Sequence, residues 1–293
     1  MTQRRTSTRR QPTVRGRSTK RSNAGNGLKM RLVIGLVVAG FAFFSFLSKR
    51  DVNPTTGEVQ YISLTRDQEI AMGLQAQPQM IQQFGGMDPD PEAQALVDLV
   101  GERLVRQSFA AKSEYPFEFT LLADSQTINA FALPGGPIFI TAALFNQLET
   151  EGQLAGVLGH EIGHVIARHG SQRIAKQELT EGLTGAVVMA ACDGGNSCQG
   201  TTRMAQMVGN MVNMKYGRGD ELQSDSLGLD IMLEAGYNPA SMIRVMEILR
   251  ASAEGASQPE IMSTHPDPGN RIGEIQKFLE DNFPNGVPDD LTP

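Results

Sequence analysis

Apolar positions recur along the chain with two different periods, and the change of period marks out its elements. Thr65-Arg66-Asp67-Gln68 has the form of a capping box, and Ile70, Met72, Leu74, Met80 and Ile81 follow it at helical spacing. After a Gly-Gly and Asp-Pro break, Asp90 as N-cap and Pro91 at the first helical position open a second helix, predicted to run to about Ser108. Phe117, Phe119 and Leu121 alternate with Glu118 and Thr120, the two-residue period of a half-buried strand. Residues 129–133 and 138–141 read as two more strands across the Pro134-Gly135-Gly136-Pro137 turn. Everything afterwards reads as helix, with loops near 192–201, 216–220 and 253–268. The fold class is therefore α+β: a mostly helical domain with one small β-sheet and no internal repeat.

One apolar run, residues 32–47, stands apart from this body. It is flanked by Lys29 and Arg31 on one side and by Lys49 and Arg50 on the other. It is shorter than the roughly 20 residues a bilayer core needs, but long basic side chains at its ends can snorkel to the headgroups. A cleaved secretory signal is the competing reading. The basic leader is unusually long for one, and Ser48-Lys49-Arg50 offers no small-x-small cleavage site, so an uncleaved transmembrane signal-anchor is favoured. This divides the chain into a basic tail (1–31), the anchor (32–48), a linker (49–64), a folded unit (65–283) and a flexible end (284–293). The tail is rich in Arg, Ser, Thr and Gly with almost nothing apolar, so disorder is expected. The positive-inside rule keeps the tail in the cytoplasm and sends the body across the membrane.

Charge sharpens that division. Residues 1–50 hold twelve of the 26 basic residues and no acidic one, leaving 14 basic against 32 acidic residues in the body. An acidic body of this kind excludes nucleic acid as its partner. The two cysteines, Cys192 and Cys198, enclose Asp-Gly-Gly-Asn-Ser, and export favours a disulfide there over two free thiols. Met204, Met207, Met211 and Met214 form a stripe at helical spacing that reads as core packing.

The chemistry concentrates in His160-Glu161-Ile162-Gly163-His164. Thr150 caps a helix that Leu154, Val157, Leu158, Ile162, Val165 and Ile166 extend from about 151 to 168. Residues four apart share one helix face, so His160 and His164 can grip one Zn²⁺, with Glu161 close enough to act on a water beside it. Gly152, Gly156, Gly159 and Gly163 on the same helix imply that it is buried and pressed against its neighbours. A third ligand must come from elsewhere. Ala167 and Gly170 stand where a metzincin needs Gly and His, which leaves the gluzincin arrangement, with a Glu from a later helix. Glu178 and Glu181 meet glycines one turn on, whereas Glu221 is followed at that spacing by Asp225, which can accept a hydrogen bond from a ligating imidazole. His160, His164 and Glu221 are thus the candidate metal ligands, with Asp225 behind them. His169 lies off the metal-facing side and reads as a cation at the helix C-terminus.

These residues resemble peptidase family M48, the group of the HtpX, Oma and CAAX-prenyl endopeptidases. The resemblance is carried by the run from His160 to His169, by Glu221-x-x-x-Asp225, by the segment from Asn129 to Gly136, and by His265-Pro266 with Arg271-Ile272. It covers roughly residues 60–280. It implies a zincin-like (gluzincin) catalytic domain, one zinc ion, and Glu161 as general base. It also implies that His265 and Arg271 stabilise the oxyanion, with Arg271 also holding Asp225 or the substrate, and that Asn129, Ala130, Phe131 and Ala132 form an edge strand pairing with an extended substrate. With a single candidate span, the chain looks most like exported bacterial members working in the periplasm. By that likeness it would be a membrane-anchored zinc endopeptidase for unfolded or misassembled envelope proteins, held at the bacterial inner membrane.

Overall fold

The computed structural model describes residues 24–191, 215–253, 260–265 and 270–293. The basic tail before residue 24, both cysteines and the methionine stripe lie outside these residues, so the expectations placed on them meet no structure. The first helix, α1 (Ala24–Leu47), begins earlier than the apolar run alone suggests. Its stretch Lys29–Leu47, with mean hydropathy 2.2, is long and apolar enough to cross a membrane. Residues 49–64 depart from the linker reading. Strands β1 (Arg50–Val52) and β2 (Val59–Tyr61) pair there as an antiparallel hairpin. Asn53 holds the turn by accepting from the backbone N–H groups of Thr55 and Thr56, and its Nδ2 donates to the carbonyl of Ile166 at 2.7 Å.

Helices α2 (Arg66–Gln83) and α3 (Pro91–Arg106) start where the sequence places them. Thr65 and Gln68 form the reciprocal capping box, and Asp90 accepts from the N–H groups of Glu92 and Ala93. The three later strands are β3 (Glu118–Leu122), β4 (Ala130–Ala132) and β5 (Pro137–Thr141). They form a sheet in the order β3-β5-β4, with β5 parallel to β3 and antiparallel to β4. The protein thus has two small sheets among the described residues, where the pattern of apolar positions predicts one. Gly135 and Gly136 turn the chain between β4 and β5 with φ of 87° and 124°, and a Cβ on Gly135 would lie 2.4 Å from Cα of Ile70.

After the short α4 (Ala142–Phe145), α5 (Glu151–Ile166) runs through the centre of the domain. Every one of its residues from Gly152 to Ile166 is buried. Leu154, Leu158 and Ile162 join Val100, Leu104, Ile138 and Ile140 in one core between helices and sheet. The four-residue spacing of glycines allows this approach. A Cβ on Gly163 would stand 2.9 Å from the carbonyl oxygen of Ser224, and Gly228 of the facing helix lies against the backbone of His160. That facing helix is α7 (Arg218–Glu234), reached after α6 (His169–Ala191). Helices α8 (Ser241–Ala253), α9 (Glu260–Thr264) and α10 (Arg271–Asn282) close the fold. Helix α9 falls within the stretch that reads as loop from sequence.

Candidate active site

Two further pieces of chain meet one face of α5. Because α5 and α7 cross at glycines, their side chains can converge without a gap between the backbones. Nε2 of His160 lies 3.0 Å from Nε2 of His164. Glu221, one turn into α7, brings Oε1 to 3.4 Å from His164 Nε2 and Oε2 to 3.6 Å from His160 Nε2. His265, just past α9, places Nδ1 3.2 Å from Glu221 Oε1 and 3.4 Å from His160 Nε2. Donor atoms of these four buried residues all lie within 4.8 Å of one another. A tetrahedral ion with bonds of about 2.0–2.1 Å sets its ligand atoms about 3.3–3.4 Å apart, so the cluster has the spacing such an ion requires. Glu161 Oε2 and His265 Nε2 have no hydrogen-bond partner among the described residues, which is costly for buried polar atoms unless a cation or water meets them.

Partners behind the cluster fix which ring nitrogen faces inward. Nδ1 of His160 donates to Oδ1 of Asp225 at 2.8 Å. Asp225 is itself gripped by Arg271, whose Nε lies 2.5 Å from Oδ2 and whose second amino group reaches Oδ1. His164 has a corresponding chain: its Nδ1 meets Nδ1 of His169 at 2.9 Å, and Nε2 of His169 meets Oε1 of Gln223 at 2.8 Å. Gln223 donates to Glu58 from the β1–β2 hairpin at 2.6 Å. With His164 and His169 both donating outward, the acceptor nitrogen of His164 is left facing the cluster.

Two expectations change here. His169 is not an exposed helix-end cation. Arg168 takes a left-handed turn (φ 58°), the chain restarts as α6, and His169 is buried behind His164. Nor does Arg271 face outward toward an oxyanion or a substrate; it takes the other place expected of it, at Asp225. It is buried, bound to Asp225 and 3.3 Å from Glu221 Oε2, so it steadies the ligands. His265 stands among the metal donors, 3.8 Å from Glu161 Oε1. Four protein donors would occupy all four corners of a tetrahedral ion, whereas His160, His164 and Glu221 alone leave one for water. Sequence reasoning also passed over Tyr216. Its ring stacks on His164 with centroids 3.9 Å apart, and its backbone N–H donates to Thr264 at 2.8 Å, next to His265.

Burial dominates the proton affinities, and opposite charge decides which groups escape it. Burial lowers His160, but hydrogen bonds to Asp225 and Glu221 outweigh it and raise the imidazole to about 9. His164 lacks comparable support, and burial carries it well below its ordinary value. Burial raises the Glu161 carboxyl more than the neighbouring imidazoles lower it. Glu221, surrounded by His265, His160 and His164, is held down despite its burial.

The remaining expected site residues lie on β4 and the residue before it. Asn129 is fully buried, and its side-chain amide has no hydrogen-bond partner among the described residues. Ala130 and Phe131 are buried, with the Phe131 ring stacked on Phe139 at 4.9 Å. Ala132 borders a small cleft that is also lined by Leu133, Pro134, His164 and Tyr216. Glu178, set aside as a ligand, pairs with Lys49 and Ser63 instead.

Fold and site together define a zincin-like domain, in which a buried helix carrying His-Glu-x-x-His is crossed by a second helix carrying a further carboxylate. Residues 91–279 match the family model for peptidase family M48, and the chain belongs to that family. Among curated proteins it is similar to the beta-barrel assembly-enhancing protease of Escherichia coli (strain K12), at 30% identity over 266 residues, covering 85% of this chain and 52% of that one. It is also similar to the mitochondrial metalloendopeptidase OMA1 of Schizosaccharomyces pombe, at 27% identity over 256 residues, 86% of this chain and 72% of that one. The human mitochondrial metalloendopeptidase OMA1 is 26% identical over 264 residues, 86% of this chain and 50% of it. The chain spans about half the length of the bacterial relatives it matches.

Proposed function

We propose that the protein is a zinc-dependent endopeptidase, anchored by α1 in a bacterial inner membrane with its catalytic domain, residues 65–283, on the periplasmic side. Its substrates are unfolded or misassembled envelope proteins. The observation that carries this reading is the convergence of His160 Nε2, His164 Nε2 and Glu221 beside the buried carboxyl of Glu161. In this proposal His160, His164 and Glu221 hold zinc, and Asp225 orients His160. Zinc at this position supplies a Lewis acid that lowers the pKa of a water to about 7 and polarises the scissile carbonyl. Glu161 takes the proton of the attacking water and delivers it to the leaving amine. Its elevated proton affinity suits both steps, because a carboxyl raised toward neutrality accepts and returns a proton more readily than an ordinary one. Arg271 keeps Asp225 charged and in place. In this proposal residues 129–132, on the outer strand of the β3-β5-β4 sheet, pair with an extended substrate, so recognition reads backbone more than side chains and favours unfolded chains. The likeness to the beta-barrel assembly-enhancing protease and to OMA1 supports a role in envelope protein quality control.

The test uses the purified full chain with casein and with an unfolded outer-membrane protein. Glu161→Gln is expected to keep bound zinc and lose at least about 100-fold in rate, as removal of a general base does. 1,10-Phenanthroline should abolish the activity and added Zn²⁺ restore it. Hydrolysis that survives both treatments would end this reading. Unchanged escort of substrate by the Glu161→Gln protein, with no hydrolysis by either form, would indicate a chaperone.

A further inference from the structure

Helix α1 does not stand alone. Its exposed face carries Leu36, Phe41 and Phe44, each more than 70% accessible, while Gly35, Ala39, Ala42 and Ser45 form a more covered stripe at helical spacing. That stripe faces α6: the two helices pack together, and a Cβ on Gly182 would lie 2.8 Å from Cβ of Ala42. Small residues on both sides are what allows two helices to approach closely where water supplies no driving force. The helices are antiparallel, since Glu178 meets Lys49 at the end of α1 and Gly182 meets Ala42 further back along it.

Charge ends at the same level on both. Beyond Glu181, α6 continues to Ala191 through Gly182-Leu183-Thr184-Gly185-Ala186-Val187-Val188-Met189-Ala190 without a charged residue. Ala186 is 3% exposed, yet Val187 beside it is 67% exposed and Leu183 is 39% exposed. At about 1.5 Å per residue these ten residues extend roughly 15 Å along α1, which brings Ala191 level with about residue 33. From Phe46 on α1 and Glu181 on α6 outward, the two helices share one boundary. Phe46 of α1 stacks there on Tyr61 of the hairpin at 4.7 Å, as aromatic rings do at a membrane surface.

We propose that the C-terminal half of α6, residues 182–191, is embedded in the lipid bilayer beside α1, with Leu183 and Val187 facing acyl chains. The proposal rests on the reading of α1 as a membrane span. A span that inserts with α6 packed along it must carry α6 into the same apolar layer. Only the turn at Ala167 and Arg168 separates α6 from the His160–His164 helix, so embedding makes the anchor a rigid mount rather than a tether. The thirteen residues from His169 to Glu181 then hold the metal cluster roughly 18 Å from the membrane surface. The enzyme would work on polypeptide segments close to the bilayer.

Depth-dependent quenching tests this on the full chain reconstituted in phosphatidylcholine vesicles, in a Cys192→Ser/Cys198→Ser background. A bimane label is placed at Phe41→Cys on α1, at Val187→Cys and Leu183→Cys on α6, and at Glu181→Cys above the boundary. Nitroxide groups on the acyl chains are expected to quench Phe41→Cys and both α6 positions several-fold more strongly than Glu181→Cys, with aqueous iodide showing the reverse order. If Phe41→Cys is quenched from the lipid while both α6 labels are quenched by iodide, the anchor stands and this inference falls. If Phe41→Cys is itself quenched only by iodide, the membrane span is wrong and the inference goes with it.

Discussion

His160 illustrates how one residue joins fold and metal. Its proton is stabilised by Asp225 and Glu221, and a metal at Nε2 would displace it, so ion binding and proton release are linked. With the imidazole raised to about 9, close to one proton should leave the protein for each Zn²⁺ bound at pH 7.5. Calorimetric titration in buffers of different ionisation enthalpy measures this, and a buffer-independent heat would contradict it. The folded value lies above the ordinary one of 6.5. The proton therefore stabilises the metal-free fold fully below about pH 6.5, and that contribution disappears as pH rises through about 9. His160, Glu161 and His164 were legible from spacing alone, because a helix turns the same way wherever it is placed. His169 and Tyr216 were not. Their roles depend on the left-handed turn at Arg168 and on Tyr216 folding back over His164, neither of which has a local sequence signature.

Between elements, the contact that matters is α5 against α7. Gly163 on one and Ser224 on the other bring the two backbones close enough for Glu221 to meet both histidines. Gly163→Ala forces a methyl group to 2.9 Å from the Ser224 carbonyl, and neither helix backbone can give way cheaply. The expected outcome is a loss of about 1–3 kcal/mol in stability together with a clear weakening of zinc affinity, read by thermal unfolding and by competition with a chromogenic chelator. Loss of stability with unchanged affinity would show that the helix spacing does not govern the site. The glycine pattern announced a buried, closely packed α5, but which helix it met required the fold. The hairpin at 49–64 was missed because each strand has only three residues, too few for a two-residue period to stand out.

For the molecule as a whole, the cluster ties together α5, α7 and the segment after α9, so a bound ion cross-links parts distant in sequence. Saturating zinc at 100 times its dissociation constant stabilises the native state by about 2.7 kcal/mol. Removing it with a chelator should lower the melting temperature by roughly 5–10 °C, reversibly. A transition unmoved by removal of the metal would mean that the ion contributes nothing to the fold. The division into basic tail, apolar helix and acidic body could be read directly, since charge and hydropathy are properties of composition. So could the metal-binding turn and its most promising carboxylate, because each lies within one helical repeat. What the tertiary structure alone decided is that Tyr216 folds over His164 and that α1 has a companion helix. Those relations join positions 52 to 140 residues apart, and only the packing of the finished core determines which of them come into contact.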